Sequence, residues 1–279
     1  MKNYLSTIEV RHDRSVGHSS PFHQHDTYEI YLFLGGTVSF FTDKKGYQLT
    51  RGDLILIPPG CWHRAQTFDQ TVYERAYLNL PLEVLTELST PNTDLRFIFP
   101  KIGAEPAIFH LGSDAVKQLT EPFDGLVRCL NLSTYGNDLQ GNLLIMQILL
   151  LINELRVPVK EIPYAPLPPM LVDLLAFIDR HLAEDLSMKA VSGHLHLTGS
   201  HISRSFKRFM GISLQDYIIK KRLNQARDCL DQGASVQEAA LQSGYGNYAH
   251  FIRSFTEHYG ISPGRYRRQR AVNIKTRTE

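Results

Sequence analysis

The stretch Arg204-Ser205-Phe206-Lys207-Arg208-Phe209-Met210-Gly211-Ile212-Ser213 returns 49 residues later as Arg253-Ser254-Phe255-Thr256-Glu257-His258-Tyr259-Gly260-Ile261-Ser262. A self-match at a fixed offset marks a repeated structural unit. In a helix, a phenylalanine two residues after an arginine lies on a different face. Phe206 and Phe255 are therefore read as core anchors, and Arg204 and Arg253 as outward-facing. The glycine seven residues after each arginine suits a helix C-cap, where a left-handed backbone disfavours a side chain. Each copy is preceded by a turn and another short helix, Met188–Leu195 and Val236–Gln242. That is helix-turn-helix twice, at about residues 188–209 and 236–258. Ser213 with Asp216 and Ser235 with Glu238 read as N-terminal caps of the helices that follow.

A helix with a buried phenylalanine and an outward arginine suits a DNA major groove, because arginine can offer two donors to guanine O6 and N7. Two copies in one chain can enter successive grooves, about 34 Å apart, without a palindromic site. The net charge of +2, from 30 Lys+Arg and 28 Asp+Glu, gives no hint of this. Its distribution does: residues 1–165 hold 14 basic and 18 acidic residues, and residues 166–279 hold 16 and 10. The basic half is the half that carries the repeat.

From about Leu171 to Arg268 the chain resembles the DNA-binding domain of the AraC/XylS transcription regulators. The resemblance rests on Ile202 to Ser213, Arg222-Leu223-Asn224-Gln225-Ala226-Arg227, Val236 to Phe251, and the ending Phe255 to Arg267. It implies seven helices, with a long helix from Leu214 to about Leu230 joining the two units, and sequence-specific binding to promoter duplex DNA. The family's base-facing positions fall on Ser200, Ser203, Arg204 and Lys207 in the first unit and on Ala249, His250 and Arg253 in the second. Lys207, Arg208, Arg265, Arg267 and Arg268 are expected nearer phosphates, where they position rather than specify. The first unit departs from the family at Ser192, where alanine is preferred, at His196, where the turn has glycine, and at Gly199, where proline begins the recognition helix. Its base readout is expected to be looser.

The acidic half is of another kind. From about residue 20 to 80, short β-branched and aromatic runs, Tyr28–Leu34, Thr37–Thr42 and Leu54–Ile57, alternate with turn signals. They read as a small barrel or jelly roll. The fold class expected is α+β with two domains: a cupin-like β-barrel followed by helices over residues 1–160, then an all-α domain with two helix-turn-helix units over 170–270. Residues 161–169, rich in proline, are expected to be a linker, and 271–279 a tail.

Gly17, His23, His25, Glu29 and Gly36, then Gly52, Pro58, Gly60 and His63, are similar to both halves of the cupin signature, without its final asparagine. In metal-binding cupins the positions of His23, His25, Glu29 and His63 converge on a divalent transition metal with open coordination positions. Two readings stand: a metal site, giving an isomerase- or dioxygenase-like enzyme with secondary DNA binding, or a cofactor-free sensor that uses these polar groups on an organic effector. The family favours the non-enzymatic sensor, with no catalytic residue and an effector that is often a sugar. His23, His25, Glu29, Tyr31, Trp62 and His63 are the candidate effector contacts, and Tyr28, Phe33 and Phe40 further candidate walls. Leu139, Leu143, Met146 and Leu150, spaced by 4, 3 and 4, give a helix over residues 137–156 with an apolar stripe for homodimer contact. RNA polymerase is a further partner that the family implies for an activator.

Cys61, Cys129 and Cys229 are odd in number and widely spaced, which suggests neither a disulfide framework nor a zinc site. The N-terminus lacks a signal-peptide core, and Leu143 to Ile152 is about half of the roughly 20 residues a membrane span needs. A soluble cytoplasmic protein with no membrane partner is expected.

Overall fold

Strand Tyr28–Gly35 is buried along nearly its whole length, and its alternate residues serve two different cores. The computed structural model describes residues 2–17, 20–67, 69–132, 134–155 and 167–275. The chain divides into two compact units, Met1–Leu167 and Pro168–Glu279. Of the expected linker, residues 161–166 lie outside the described residues.

The first unit runs β1 (Glu9–Val16), β2 (Tyr28–Gly35), β3 (Val38–Thr42), β4 (Gly46–Gln48), β5 (Asp53–Ile57), β6 (His63–Thr67), β7 (Val72–Leu80), α1 (Leu82–Leu88), β8 (Ala107–His110), α2 (Ser113–Asn131) and α3 (Asn137–Glu154). The strands form two antiparallel sheets, β1-β7-β2-β5-β8 and β4-β3-β6. Because side chains alternate across a strand, Ile30, Leu32 and Leu34 of β2 join one core with Leu119 and Phe123 of α2 and Ile145 and Ile148 of α3. Tyr31 and Phe33 join Phe40, Ile55, Ile57 and Ala65 in a second core. Tyr28 lies in the helix-side core, with its ring 4.8 Å from that of Phe99. It is therefore no wall of the space that holds Tyr31, since its parity on β2 sends it to the opposite face. The turn glycines of the cupin pattern are structural: Gly52 has φ +95°, and a Cβ there would stand 2.5 Å from the Leu111 carbonyl oxygen.

The second unit holds α4 (Pro169–Arg180), α5 (Met188–Leu195), α6 (Gly199–Met210), α7 (Leu214–Asp231), α8 (Val236–Gln242), α9 (Tyr248–Tyr259) and α10 (Pro263–Lys275). These are the seven helices the resemblance implies, and α5 and α8 have the expected bounds. The expected C-terminal tail from 271 is corrected in part, because α10 continues to Lys275. Pro263 sits at its first position, where a missing N–H costs nothing. Serine or threonine hydroxyls or an asparagine carbonyl cap five helices: Ser187, Thr198, Ser213, Ser235 and Asn247 accept from Ala190, His201, Asp216, Glu238 and His250 N–H. Gly211 and Gly260 close α6 and α9 in the left-handed conformation, at φ 75° and 70°.

Candidate nucleic-acid interface and candidate sensor site

The repeat places equivalent residues at equivalent depths. Ile202 and Phe206 of α6 correspond to Phe251 and Phe255 of α9, and all four are fully buried. Phe206 meets Tyr217 edge-on at 5.4 Å, and Phe255 meets Phe251 at 5.7 Å. With that face fixed, the opposite row must be solvent-facing. Ser200, Ser203, Arg204 and Lys207 on α6 and Ala249, His250 and Arg253 on α9 are all exposed. The Arg204 Nε donates to the Ser200 carbonyl at 3.3 Å, which lays its side chain back along the helix. The second helix has no cation matching Lys207. Thr256 stands there, and its hydroxyl donates to the Ile252 carbonyl at 2.6 Å. Sequence reading passed over His201, an exposed partner of His250 in the first copy; the same offset of 49 finds it.

Not every basic residue in the second unit is available to a phosphate. Arg222 donates through Nε to the Leu182 carbonyl at 2.9 Å and through Nη2 to that of Glu184 at 2.7 Å. Arg227 is buried against the Tyr259 ring. Asn224 accepts from the Tyr259 hydroxyl at 3.0 Å, and Gln225 donates to the Gln242 carbonyl at 2.7 Å. The signature Arg222 to Arg227 is thus a fastening of α7 to its neighbours. Arg265, Arg267 and Arg268 on α10 are exposed.

The departures in the first unit have physical expression. His196 closes α5 at φ 52°, a left-handed conformation adopted elsewhere among the described residues only by glycine. At Gly199 a Cβ would stand 2.6 Å from the Cγ of Met188, an exposed and flexible side chain that would have to shift to admit it. A left-handed side chain costs about 1–2 kcal/mol, partly offset in a glycine variant by backbone entropy. His196→Gly is accordingly expected to stabilise the protein by about 0.5–1 kcal/mol; urea unfolding of the full chain measures it, and an unchanged or lower midpoint would sink the idea.

In the first unit, Glu29 of β2 and His63 of β6 are buried and His25 is half-buried. One ligand-capable atom from each of His25, Glu29 and His63 lies within 4.8 Å of the others. His23 is not in that group. Its outer edge is exposed, and its ring rests 4.3 Å from that of His63. Each imidazole turns its Nδ1 to a backbone carbonyl: His23 to Pro21 at 3.1 Å, His25 to Thr27 at 2.9 Å and His63 to Cys61 at 3.0 Å. A carbonyl only accepts, so Nδ1 carries the proton in all three, leaving Nε2 as the inward atom. The His25 Nε2 is 2.8 Å from Glu29 Oε2. That of His63 is buried, 3.3 Å from the same oxygen and outside hydrogen-bond geometry. Backbone-oriented imidazoles beside a buried carboxylate are a donor set that fits a divalent transition metal.

Electrostatics bind this cluster together without a metal as well. Burial would raise the Glu29 carboxyl, but His25 and His63 outweigh it and hold it well below the usual range. Burial opposes protonation of His25, yet the bond to Glu29 raises its pKa on balance. Burial of its inner side, then the neighbouring His63, lowers His23 to about 4.

Tyr31 and Phe40 line the same inter-sheet space, whereas Trp62 is buried outside that aromatic cluster. The sequence reading missed β7. Its residues Tyr73, Arg75, Tyr77 and Asn79 share the inner face, since Phe33, Tyr31 and Glu29 of β2 pair with Arg75, Tyr77 and Asn79.

A two-sheet effector unit followed by paired DNA-reading helices defines a one-component sensor and reader. Residues 6–151 match the family described as AraC-like ligand binding domain, and residues 191–269 match a helix-turn-helix domain family. The chain belongs to the AraC family. It is similar to the HTH-type transcriptional activator RhaR of Pectobacterium atrosepticum, at 25% identity over 284 residues that cover 98% of this chain and 93% of that protein. It is 30% identical to Regulatory protein PocR of Salmonella typhimurium over 96 residues, 34% of this chain, and spans 32% of that relative. Among solved structures, a transcriptional regulator with an AraC-type DNA-binding domain from Chromobacterium violaceum is 28% identical, with a TM-score of 0.34 over 37% of this chain and 93% of that one.

Proposed function

We propose that the chain is an effector-responsive transcription regulator that binds promoter DNA through α6 and α9, with binding rather than catalysis as its activity. The observation that carries this reading is the pair of exposed arginines, Arg204 and Arg253, at matching places on two capped helices. The inter-sheet space of the first unit is the effector site, and the effector is a carbohydrate or related small molecule. Activation is supported by relatives described as activators, and contact with RNA polymerase is part of the same proposal. No helix among the described residues is long and apolar enough to cross a membrane, and the protein is proposed to act in the cytoplasm. Genome-wide mapping of sites bound by the full chain tests the core of the reading. Enriched sites should lie in promoters and share two short motifs about one helical turn apart; occupancy without a shared sequence would overturn it.

Homodimerisation is assigned to α3. Leu139, Leu143 and Leu150 are 50%, 55% and 45% exposed on one face, while Leu144, Ile145, Ile148 and Leu149 on the other are buried. A groove of about 570 Å³ between α2 and α3, lined by Arg128, Tyr135, Gln140 and Gln147, runs beside this stripe. A second copy of the same stripe supplies a matching apolar surface.

The buried His63 Nε2 without a hydrogen bond favours a second reading, in which His25, Glu29 and His63, with His23 beside them, hold a divalent metal. Such an ion supplies Lewis acidity and an anchor for effector oxygens. Elemental analysis of protein purified without chelator is expected to give about one metal per chain, lost in His63→Ala. Metal-free wild-type protein would eliminate this reading and leave the regulator intact.

A further inference from the structure

The two sheets are unequal, and five strands cannot be covered by three. On β1, Glu9 and Arg11 of the inner face are exposed and Asp13 is half-buried, although their β7 partners are Asn79, Tyr77 and Arg75. The inner face of β7 thus runs from the packed aromatic core towards an open side. Arg75 stands between that core and the exposed edge strand, with its side chain 18% exposed. Its guanidinium lies 4.7 Å from the ring centre of Tyr77, 5.5 Å from Tyr73 and 5.8 Å from Tyr31. The Tyr73 hydroxyl is 2.6 Å from the Tyr31 hydroxyl. The Arg75 Nε is buried and has no hydrogen-bond partner. The carboxylate of Asp13, half-exposed on the edge strand, stands off at 3.9 Å.

This is a largely buried cation with one donor unused, whose ion-pair partner Asp13 stands 3.9 Å away on the exposed edge strand. Tyrosine faces offer it only the attraction of their quadrupoles, and Glu29 is already bonded to His25 at 2.8 Å. A guanidinium fork matches a carboxylate in shape and charge, and a neutral hydroxyl offsets neither the charge nor both donors. Two linked tyrosine hydroxyls share one bond and so keep a second proton to donate. Four residues along the strand, Asn79 holds a buried Oδ1 with no donor, beside Glu29. A hydroxyl would satisfy it. Arginine at one end and an unsatisfied acceptor near a carboxylate at the other describe a molecule with an acid at one end and hydroxyls at the other. We infer that the effector is a hydroxyl-bearing carboxylate of the sugar-acid class, and that Arg75, with the Tyr31 and Tyr73 hydroxyls, binds its carboxylate. This rests on the inter-sheet space being the effector site.

Matched pairs that differ at the acid test it: galacturonate with galactose, glucuronate with glucose, and gluconate with glucitol. Each is titrated into the full chain while the thermal midpoint and the heat of binding are followed. At least one acid is expected to raise the midpoint while its neutral partner does not. Arg75→Gln should weaken that acid at least tenfold, and Arg75→Lys, which keeps the charge but not the fork, should weaken it less. An unliganded midpoint of Arg75→Lys near wild type shows that the fold survives. If a neutral member binds as well as its acid, or if both variants bind the acid like wild type, the inference falls while the effector site stands. If no member of any pair binds, the inference falls together with the assignment of the effector site.

Discussion

Replacing Arg253 with alanine is expected to weaken binding to a cognate promoter by about tenfold to a hundredfold, the usual cost of a bidentate arginine–guanine contact. Arg204→Ala should cost less. Arg204 is drawn back onto the Ser200 carbonyl and must give up that bond to reach a base, and its turn carries the left-handed His196. The two arginines lie on separate helices, so their losses should multiply in the double variant. Fluorescence anisotropy with the promoter and a scrambled duplex at one salt concentration measures both. Binding to scrambled DNA should change little, because phosphate contacts from Lys207 and α10 are untouched. A double variant that keeps its preference for the promoter would remove both residues from the readout. Arg222→Ala is a useful contrast: its bonds to the Leu182 and Glu184 carbonyls make it a stability variant, with specificity unchanged in the folded fraction.

Leu143→Glu is expected to convert a dimer to a monomer, as seen by sedimentation. The residue is 55% exposed on α3, so the substitution leaves the core of its own unit alone and places a charge in the middle of the proposed seam. A charge buried without a partner at such a contact costs several kcal/mol, enough to abolish a moderate dimer at micromolar concentration. Loss of the second copy also removes avidity, so affinity for a promoter with two sites should fall by about a hundredfold or more. A wild-type chain that sediments as a monomer, or a variant that stays dimeric, would clear α3 of this role.

The two halves of the chain were legible to different degrees. In the second unit, one repeat carried the buried face, the exposed row and the glycine caps together, because a helix maps sequence spacing directly onto faces. Even the departures at His196 and Gly199 corresponded to physical features, a left-handed residue and a close approach to Met188. In the first unit the strands of residues 28–57 were readable, but their faces were not. Tyr28 and Tyr31 look alike in sequence, and only parity along β2 sends one to the helices and the other between the sheets. Val72–Leu80 mixes Glu74, Arg75 and Asn79 with apolar residues on both faces and so shows no regular polar–apolar alternation. Which of its faces is covered is a property of topology that spacing does not carry. The convergence of His25, Glu29 and His63 likewise arises across β2 and β6, far apart in sequence.

The helix that joins the two DNA-reading units, α7, is 18 residues long and contains neither glycine nor proline. At 1.5 Å and 100° per residue it spans about 27 Å. Gaining or losing a single residue there would swing one unit about 100° around the other. Drift in target spacing therefore cannot be followed by small changes in this connection. Promoters that come under this regulator must conform to its fixed gauge, so that the length of one helix disciplines the architecture of every site it serves.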